Sequence, residues 1–425
     1  MDSFKVLGIG EELLKAVRDA GFSSPTEIQQ KSIPLVVKGK DVIGQAATGS
    51  GKTLAFGSGI IGRIVRGKGV QTLVVVPTRE LADQVAKALR QFSRHVQLGI
   101  VDVYGGVAMS PQVAGIAKAD VVVGTPGRIL DHIRQGTLSL KQVRVLVLDE
   151  ADRMLDMGFI QDMQLIIEAC PRERQTLLFS ATVSQDIQRI AKHYMRDPIF
   201  VVAESYVDPK KLTQYYYDTL PQQKFSLIIH LLKKEHSGLI MVFCNTRRNA
   251  DFVSRNLKRY GLYVVSIHGG LSQARRKEVM EKFHSAKVTI LVCTDVAARG
   301  LDIKNVSHVY NYDVPPTSTE YIHRIGRTAR AGKEGMALTL VSQKDYQNFR
   351  RVMEDDELHI VPLEMPKIEQ VYVNFQDIRD KGLSRHDGWR EKKMQSSQRE
   401  NLGRRYHKRN FDHRQFRRRK NTRPR

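Results

Sequence analysis

The sequence predicts an α/β protein of two tandem parallel-sheet domains followed by a disordered basic C-terminal tail. Three observations carry that reading. Short runs of Val, Ile and Leu without in–out alternation recur between amphipathic stretches. The series pauses once and then starts again. The end of the chain loses apolar periodicity and gains positive charge.

In the first 200 residues the apolar runs include Thr72–Pro77 (TLVVVP), Asp120–Gly124 (DVVVG), Val143–Leu148 (VRVLVL) and Thr176–Ser180 (TLLFS). Runs of this kind suit strands covered on both faces, as in a parallel sheet. Glu80–Phe92, between two of them, repeats its apolar positions at helical spacing. Strand–helix–strand alternation predicts a doubly wound domain. Around Ser205–Leu212 the chain reads SYVDPKKL, a proline with mixed charge, and this predicts a linker. The alternation resumes with Gly238–Cys244, Tyr263–His268, Val288–Thr294, Val306–Tyr312 and Met336–Ser342. The expected organisation is a first domain over 1–203, a linker over 204–212, a second domain over 213–365 and a tail over 366–425. The two halves look alike in architecture, without a close residue-level repeat.

Hydrophobic content of 41% and charged content of 27% are ordinary for a folded chain, whereas a net charge of +23 is not. From Gln376 onward 18 Lys and Arg face 6 Asp and Glu, so about half of the excess lies in the last 50 residues. Such a tail predicts disorder unless bound, and the excess as a whole predicts attraction to a polyanion. Trp389, Tyr406, Phe411 and Phe416 lie among its cations, a mixture suited to stacking on bases. The three cysteines, Cys170, Cys244 and Cys293, are too widely spaced for a disulfide framework or a zinc site with paired ligands. No run of 18 apolar residues occurs, and the N-terminus lacks the basic flank and apolar core of a secretory leader. A cytoplasmic location is expected, although the basic tail would also suit a nuclear signal.

Residues 46–53 read AATGSGKT, between a strand-like DVIGQ and a helix-compatible TLAFGSGI. A glycine-rich turn leaving a strand lets backbone N–H groups converge on phosphate oxygens. Ala47, Thr48, Gly49, Ser50 and Gly51 would form the cradle, Lys52 would reach the terminal phosphates, and Thr53 would place its hydroxyl on Mg2+. Ala46 stands where the strict pattern has its first glycine. Residues 149–152 read Asp-Glu-Ala-Asp at the end of VRVLVL. Asp149 suits the metal and Glu150 an attacking water, as general base.

With these motifs in place the chain resembles the DEAD-box RNA helicases over about residues 4–345, and is identified as a member of that family. The resemblance implies two RecA-like domains with ATP between them. GFSSPTEIQ (Gly21–Gln29) is similar to the family's adenine-sensing motif, with Phe4 upstream as a stacking face and the Gln29 amide facing adenine. PTRELA (Thr78 and Arg79), Gly105–Gly106 and TPGR (Thr125, Gly127 and Arg128) resemble segments that line RNA. Ser180 and Thr182 of SAT, with Asp152, resemble the element coupling ATP state to RNA. In the second half FCNT (Phe243–Thr246), HGG with SQARR, and TDVAARGLD are similar to the family's motifs there. They imply Gln273, Arg276 and Thr294 at the RNA backbone and Asp302 at the ribose. HRIGRTAR (His323–Arg330) implies Arg327 and Arg330 at the γ-phosphate and His323 in coupling. Ala329 replaces the glycine more often found there. RNA contacts of this kind carry no base code, so sequence-independent binding is expected.

The implied activity is ATP hydrolysis coupled to local RNA duplex separation. An ATP-gated RNA clamp or scaffold needs the same residues and remains open from sequence. A DNA helicase is disfavoured by the resemblance alone.

Overall fold

In a computed structural model the described residues are 2–47, 49–203, 212–234, 238–298, 303, 306–329, 334–371 and 373. They form two seven-stranded sheets. The first holds β1 (Val42–Gln45), β2 (Thr72–Val75), β3 (Ile100–Val103), β4 (Val121–Gly124), β5 (Val145–Asp149), β6 (Gln175–Ser180) and β7 (Ile199–Val202), in the order β3-β4-β2-β5-β6-β1-β7. The second holds β8 (Leu212–Asp218), β9 (Leu239–Cys244), β10 (Val264–Ile267), β11 (Ile290–Thr294), β12 (Val306–Asn311), β13 (Gly335–Val341) and β14 (Val361–Pro362), in the order β10-β11-β9-β12-β13-β8-β14. Counted from its own first strand, each half has the order 3-4-2-5-6-1-7. The likeness expected of the halves is therefore a likeness of topology.

Every strand pairing is parallel. Within each sheet the loops leaving the carboxyl ends therefore gather on one edge, where α/β proteins bind ligands. Val74, Val122, Val147 and Leu177 are fully buried beside sequence neighbours that are equally buried. Helices cover both faces, which accounts for the lack of alternation. Thr78, Ser184, Thr246, Ser272 and Thr317 each start a helix by accepting a backbone N–H three residues on. Gly44 in β1 lies under the Phe179 ring, so closely that a Cβ would come within 2.5 Å of it.

Four strands lie outside the expected apolar runs. β3 carries Asp102, β8 reads LTQYYYD, β7 exposes three of its four residues, and β14 has two residues. Leu212, assigned to the linker, is the first residue of β8 and is buried, because its side chain joins the second core. The rest of the linker, 204–211, lies outside the described residues. So does the tail from 374 on, with its aromatic residues, while 366–371 carry no helix or strand. The three cysteines are buried and free. Among the described residues no helix is long and apolar enough to cross a membrane.

Candidate functional site

β1 delivers the glycine-rich turn, and helix Lys52–Ile61 leaves it. Gly49 and Gly51 have φ of 85° and 94°, the left-handed region that a side chain resists. Lys52 is 6% exposed. Its Nζ donates to the Ala46 carbonyl at 3.1 Å and lies 3.8 Å from Asp149 Oδ1. The Ser50 hydroxyl is buried with no hydrogen-bond partner among the described residues. Thr53 is half-buried in the first turn of the helix, Ala47 is half-buried, and Thr48 lies outside the described residues. A lysine, an unsatisfied hydroxyl and convergent amides at a helix start fit a polyphosphate.

β5 ends at Asp149, and burial pushes its carboxyl up to about 6 against the pull of Lys52. Glu150 follows at φ 53°, a strained conformation that redirects the chain into helix Ala151–Asp156. Burial would raise its carboxyl too. The adjoining Arg153 guanidinium and Lys52 reverse that and, with Arg327, hold it near 2. Glu150 is therefore an ionised acceptor paired with Arg153, a residue the motif reading left out. The i,i+3 spacing of the two was the available signal. A buried acid of raised pKa beside the phosphate turn fits a divalent cation, which would favour its ionised form.

Gln29 is 3% exposed. Its Oε1 accepts from Thr26 N and its Nε2 donates to Gly51 O, both at 3.0 Å. Thr26 Oγ1 donates to Ser50 O at 2.7 Å. The segment thus braces the phosphate turn from behind, and the amide keeps a second hydrogen and a second lone pair for a base. Phe4 departs from expectation. Its ring is 0% exposed in the first core and presents no open stacking face, because an apolar ring gains most by full burial.

Asp152 Oδ2 accepts from Ala181 N, Thr182 N and Thr182 Oγ1 at 3.1, 2.9 and 3.2 Å. Asp152 N donates to Ser180 Oγ at 3.1 Å. The expected polar tie between the acidic motif and SAT is thus present in both directions.

On the same edge, Thr78 Oγ1 accepts from Leu81 N, and Arg79 lies across the glycine pair. Gly106 has φ 83°. Gly105, Thr125 and Arg128 are half-buried, and Gly127 is exposed with open space where a Cβ would stand. Arg128 was expected at phosphate. Its two terminal nitrogens instead donate to Val107 O at 3.3 and 3.2 Å and its Nε lies 3.7 Å from Asp131 Oδ2, leaving one hydrogen on each terminal nitrogen for an anion.

In the second half, Thr294 ends β11 and is 5% exposed. Gln273 starts helix Gln273–His284, and its Oε1 is buried without a hydrogen-bond partner among the described residues. Arg276, also expected at the RNA backbone, is held by Glu80 of the first half, with Nε 2.8 Å from Oε1 and both side chains largely buried. Taking both charges out of water costs about as much as their attraction returns, so the pair fixes Arg276 in place more than it stabilises the lobes. His323 is half-buried on helix Ser318–Ile325, and Arg327 is 4% exposed beyond it. After Arg153 and Lys52, the Arg327 charge adds to the lowering of the Glu150 carboxyl, so a cation of the second half acts on the acid of the first. Arg330 and Asp302 lie outside the described residues.

Arg324 of the same octet has a different place. It is 1% exposed and spends all five N–H groups internally. Nε and Nη2 bind Asp295 at 2.6 Å each, Nη2 binds Asn245 Oδ1 at 2.7 Å, and Nη1 binds Asp313 O and Asn311 Oδ1 at 2.6 and 3.3 Å. It ties FCNT, TDVA and HRIGR together.

A phosphate turn and acidic strand end in one parallel α/β lobe, met by arginine from a lobe of the same topology, define a nucleotide-hydrolysing protein of the helicase class. The DEAD/DEAH box helicase model matches residues 26–190, and the helicase conserved C-terminal domain matches residues 223–332. The chain is 45% identical to the ATP-dependent RNA helicase CshA of Listeria monocytogenes, over 88% of this chain and 72% of the relative. It is 43% identical to the DEAD-box ATP-dependent RNA helicase CshA of Geobacillus kaustophilus, over 89% and 82%. Among solved structures it is similar to S. cerevisiae Dbp5 bound to RNA and ADP BeF3, at 29% identity and TM-score 0.78, covering 85% of this chain and 96% of that one. A DEAD box protein of Methanococcus jannaschii matches at 40% identity and TM-score 0.52, covering 84% and 97%. The chain belongs to the DEAD-box ATP-dependent RNA helicases, RNA-stimulated ATPases with two RecA-like domains.

Proposed function

We propose that ATP is hydrolysed between the lobes 1–203 and 213–365, each supplying half of the chemistry. The observation that carries this is the buried group of Lys52, Asp149 and Glu150, with Arg327 of the other lobe acting on the Glu150 charge. Gln29 reads adenine with the amide capacity its bracing role leaves over, and Asp302 takes the ribose. The turn from Ala47 to Gly51 and Lys52 hold the phosphates. Thr53 and Asp149 hold Mg2+, which supplies charge neutralisation at the phosphates. Glu150, ionised, accepts a hydrogen bond from the attacking water, and Arg327 with Arg330 balances the negative charge that spreads over the transferred group. The first lobe lacks the arginines and the second lacks the phosphate turn, so approach of the lobes assembles the site.

RNA runs over the carboxyl edges of both sheets, against Thr78, Arg79, Gly105, Gly106, Thr125, Gly127, Arg128, Gln273, Arg276 and Thr294. Backbone amides, hydroxyls and guanidinium groups suit sugar and phosphate, which favours sequence-independent binding. Arg276 exchanges Glu80 for RNA, or shares itself between them. Asp152, Ser180 and Thr182 couple the two sites through the hydrogen bonds around Asp152, and His323 joins the coupling from the second lobe. Because RNA and ATP favour the same approach of the lobes, each strengthens binding of the other. A cytoplasmic location fits an enzyme of this kind.

Paired variants test the assignment. Lys52→Ala loses ATP binding or turnover, whereas Glu150→Gln retains ATP and RNA while hydrolysis falls by at least about 100-fold, the usual contribution of a general base. Normal turnover in Glu150→Gln would remove Glu150 from the reaction.

A further inference from the structure

One side chain grips both ends of the glycine pair that follows β3. Gln112, on helix Ser110–Ile116, is 6% exposed. Its Oε1 accepts from Tyr104 N at 3.2 Å, and its Nε2 donates to Tyr104 O at 3.3 Å and to Ala108 O at 3.2 Å. The amide thereby pairs with both backbone groups of Tyr104 as a neighbouring peptide would, and takes the carbonyl beyond Gly105–Gly106 as well. His132, 0% exposed on helix Pro126–Arg134, lies 3.4 Å from Gln112 Oε1 and 2.8 Å from Thr137 Oγ1. That helix also carries Arg128, which holds Val107 O from the other side of the turn. A single polar network therefore joins the glycine loop to the TPGR segment.

Burying an amide costs free energy unless its groups are paired, and here three of the bonds go to one five-residue loop. An apolar side chain would fill the space without fixing the loop. β3 and β4 stand at one end of the sheet, while β5, β6 and β1, which deliver the acids, SAT and the phosphate turn, stand together towards the other. Disturbing Gln112 should thus reach the loop without reaching the nucleotide.

We infer that Gln112 is a positioning residue for RNA, presetting the glycine loop and its junction with Arg128 before RNA arrives. The inference rests on the proposed assignment of this edge to RNA. A preset loop loses less freedom on binding, and the benefit appears in affinity.

The test uses the full chain and single-stranded oligouridine, titrated in an ATPase assay. Gln112→Met keeps the volume and removes the bonds. It is expected to raise the RNA concentration for half-maximal stimulation about tenfold, equivalent to one or two lost hydrogen bonds. The turnover at saturating RNA and the KM for ATP stay within about twofold, since neither depends on loop preorganisation. Gln112→Glu keeps length and one acceptor but sets a carboxylate against two carbonyls, so it moves in the same direction and serves where methionine unfolds the lobe. Gln112→Asn, too short to span the loop, does not rescue. Thr125→Val, in the assigned RNA edge, is the control. If it weakens RNA response while the Gln112 variants do not, the inference falls and the assignment stands. If none weakens it, both fall. A parallel loss of turnover, ATP affinity and RNA response in both Gln112 variants would mark a general structural role and also overturn it.

Discussion

Ala329 illustrates how one methyl group can carry a cost. It sits at φ 53° and is 2% exposed, immediately before Arg330. A residue with a Cβ pays about 1–2 kcal/mol in that region, and glycine does not. Ala329→Gly is therefore expected to raise the unfolding free energy by up to about 1 kcal/mol after the entropy that glycine restores to the unfolded chain, seen as a higher urea midpoint. A lowered midpoint would show that the methyl group's packing outweighs its strain. Glu150 at φ 53° is the parallel case in the first lobe, where the same strain turns the carboxylate proposed as general base. The sequence names both residues but not their backbone angles, which are set by the strand and helix on either side.

At the scale of elements, the second sheet is locked by charges that its motifs do not advertise. Arg324 joins the ends of β9, β11 and β12 through Asn245, Asp295, Asn311 and Asp313. Removing one partner of a buried ion pair costs about 3–5 kcal/mol, so Arg324→Met should unfold the second lobe far below the wild-type temperature. Retained thermal stability with lost ATPase would instead make Arg324 a phosphate ligand. Asp313 is a second lock. Burial alone would raise its carboxyl, but Lys344 and Lys224, with the Asn245 N–H and the Asn249 amide, hold it below the usual range. A depressed carboxyl contributes stability above its unfolded pKa, and that stability is lost as pH falls through the folded value. Acid unfolding of the second lobe should thus begin below about pH 4, where unfolded Asp takes up its proton. Asp313→Asn should make the unfolding temperature flatter with pH in that range. An unaltered pH profile would exclude Asp313 from it.

At the scale of the molecule, topology is used twice. The order 3-4-2-5-6-1-7 in both halves sets two loop-bearing edges of the same construction, one with the phosphate turn and one with arginine. In sequence the second lobe is followed by a basic segment, with 18 Lys and Arg over residues 376–425. We expect its removal to weaken RNA binding and to reduce the slope of affinity against salt, since fewer counterions are released. ATP turnover at saturating RNA should change little. An unchanged salt slope would separate the tail from RNA altogether.

Much of this was legible in the chain because it is local. Continuous Val, Ile and Leu runs mark strands that are covered on both faces, and a glycine turn before Lys52 marks a phosphate cradle wherever it is placed. β3 and β7 escape because edge strands with partly polar faces lack the apolar run, and β8, with Leu212 at its start, because Thr213, Gln214 and three tyrosines interrupt it between β13 and β14. The sequence by itself determined the two α/β halves, the order of the motifs and the family they belong to. Only the tertiary structure decided that Arg324 is a lock, that Arg153 holds Glu150, that Gln112 grips the glycine loop, and that Arg276 meets Glu80. The pairs Arg324–Asp295, Arg153–Glu150, Gln112–Tyr104 and Arg276–Glu80 stand 29, 3, 8 and 196 positions apart, and the fold alone decides which of them meet away from water.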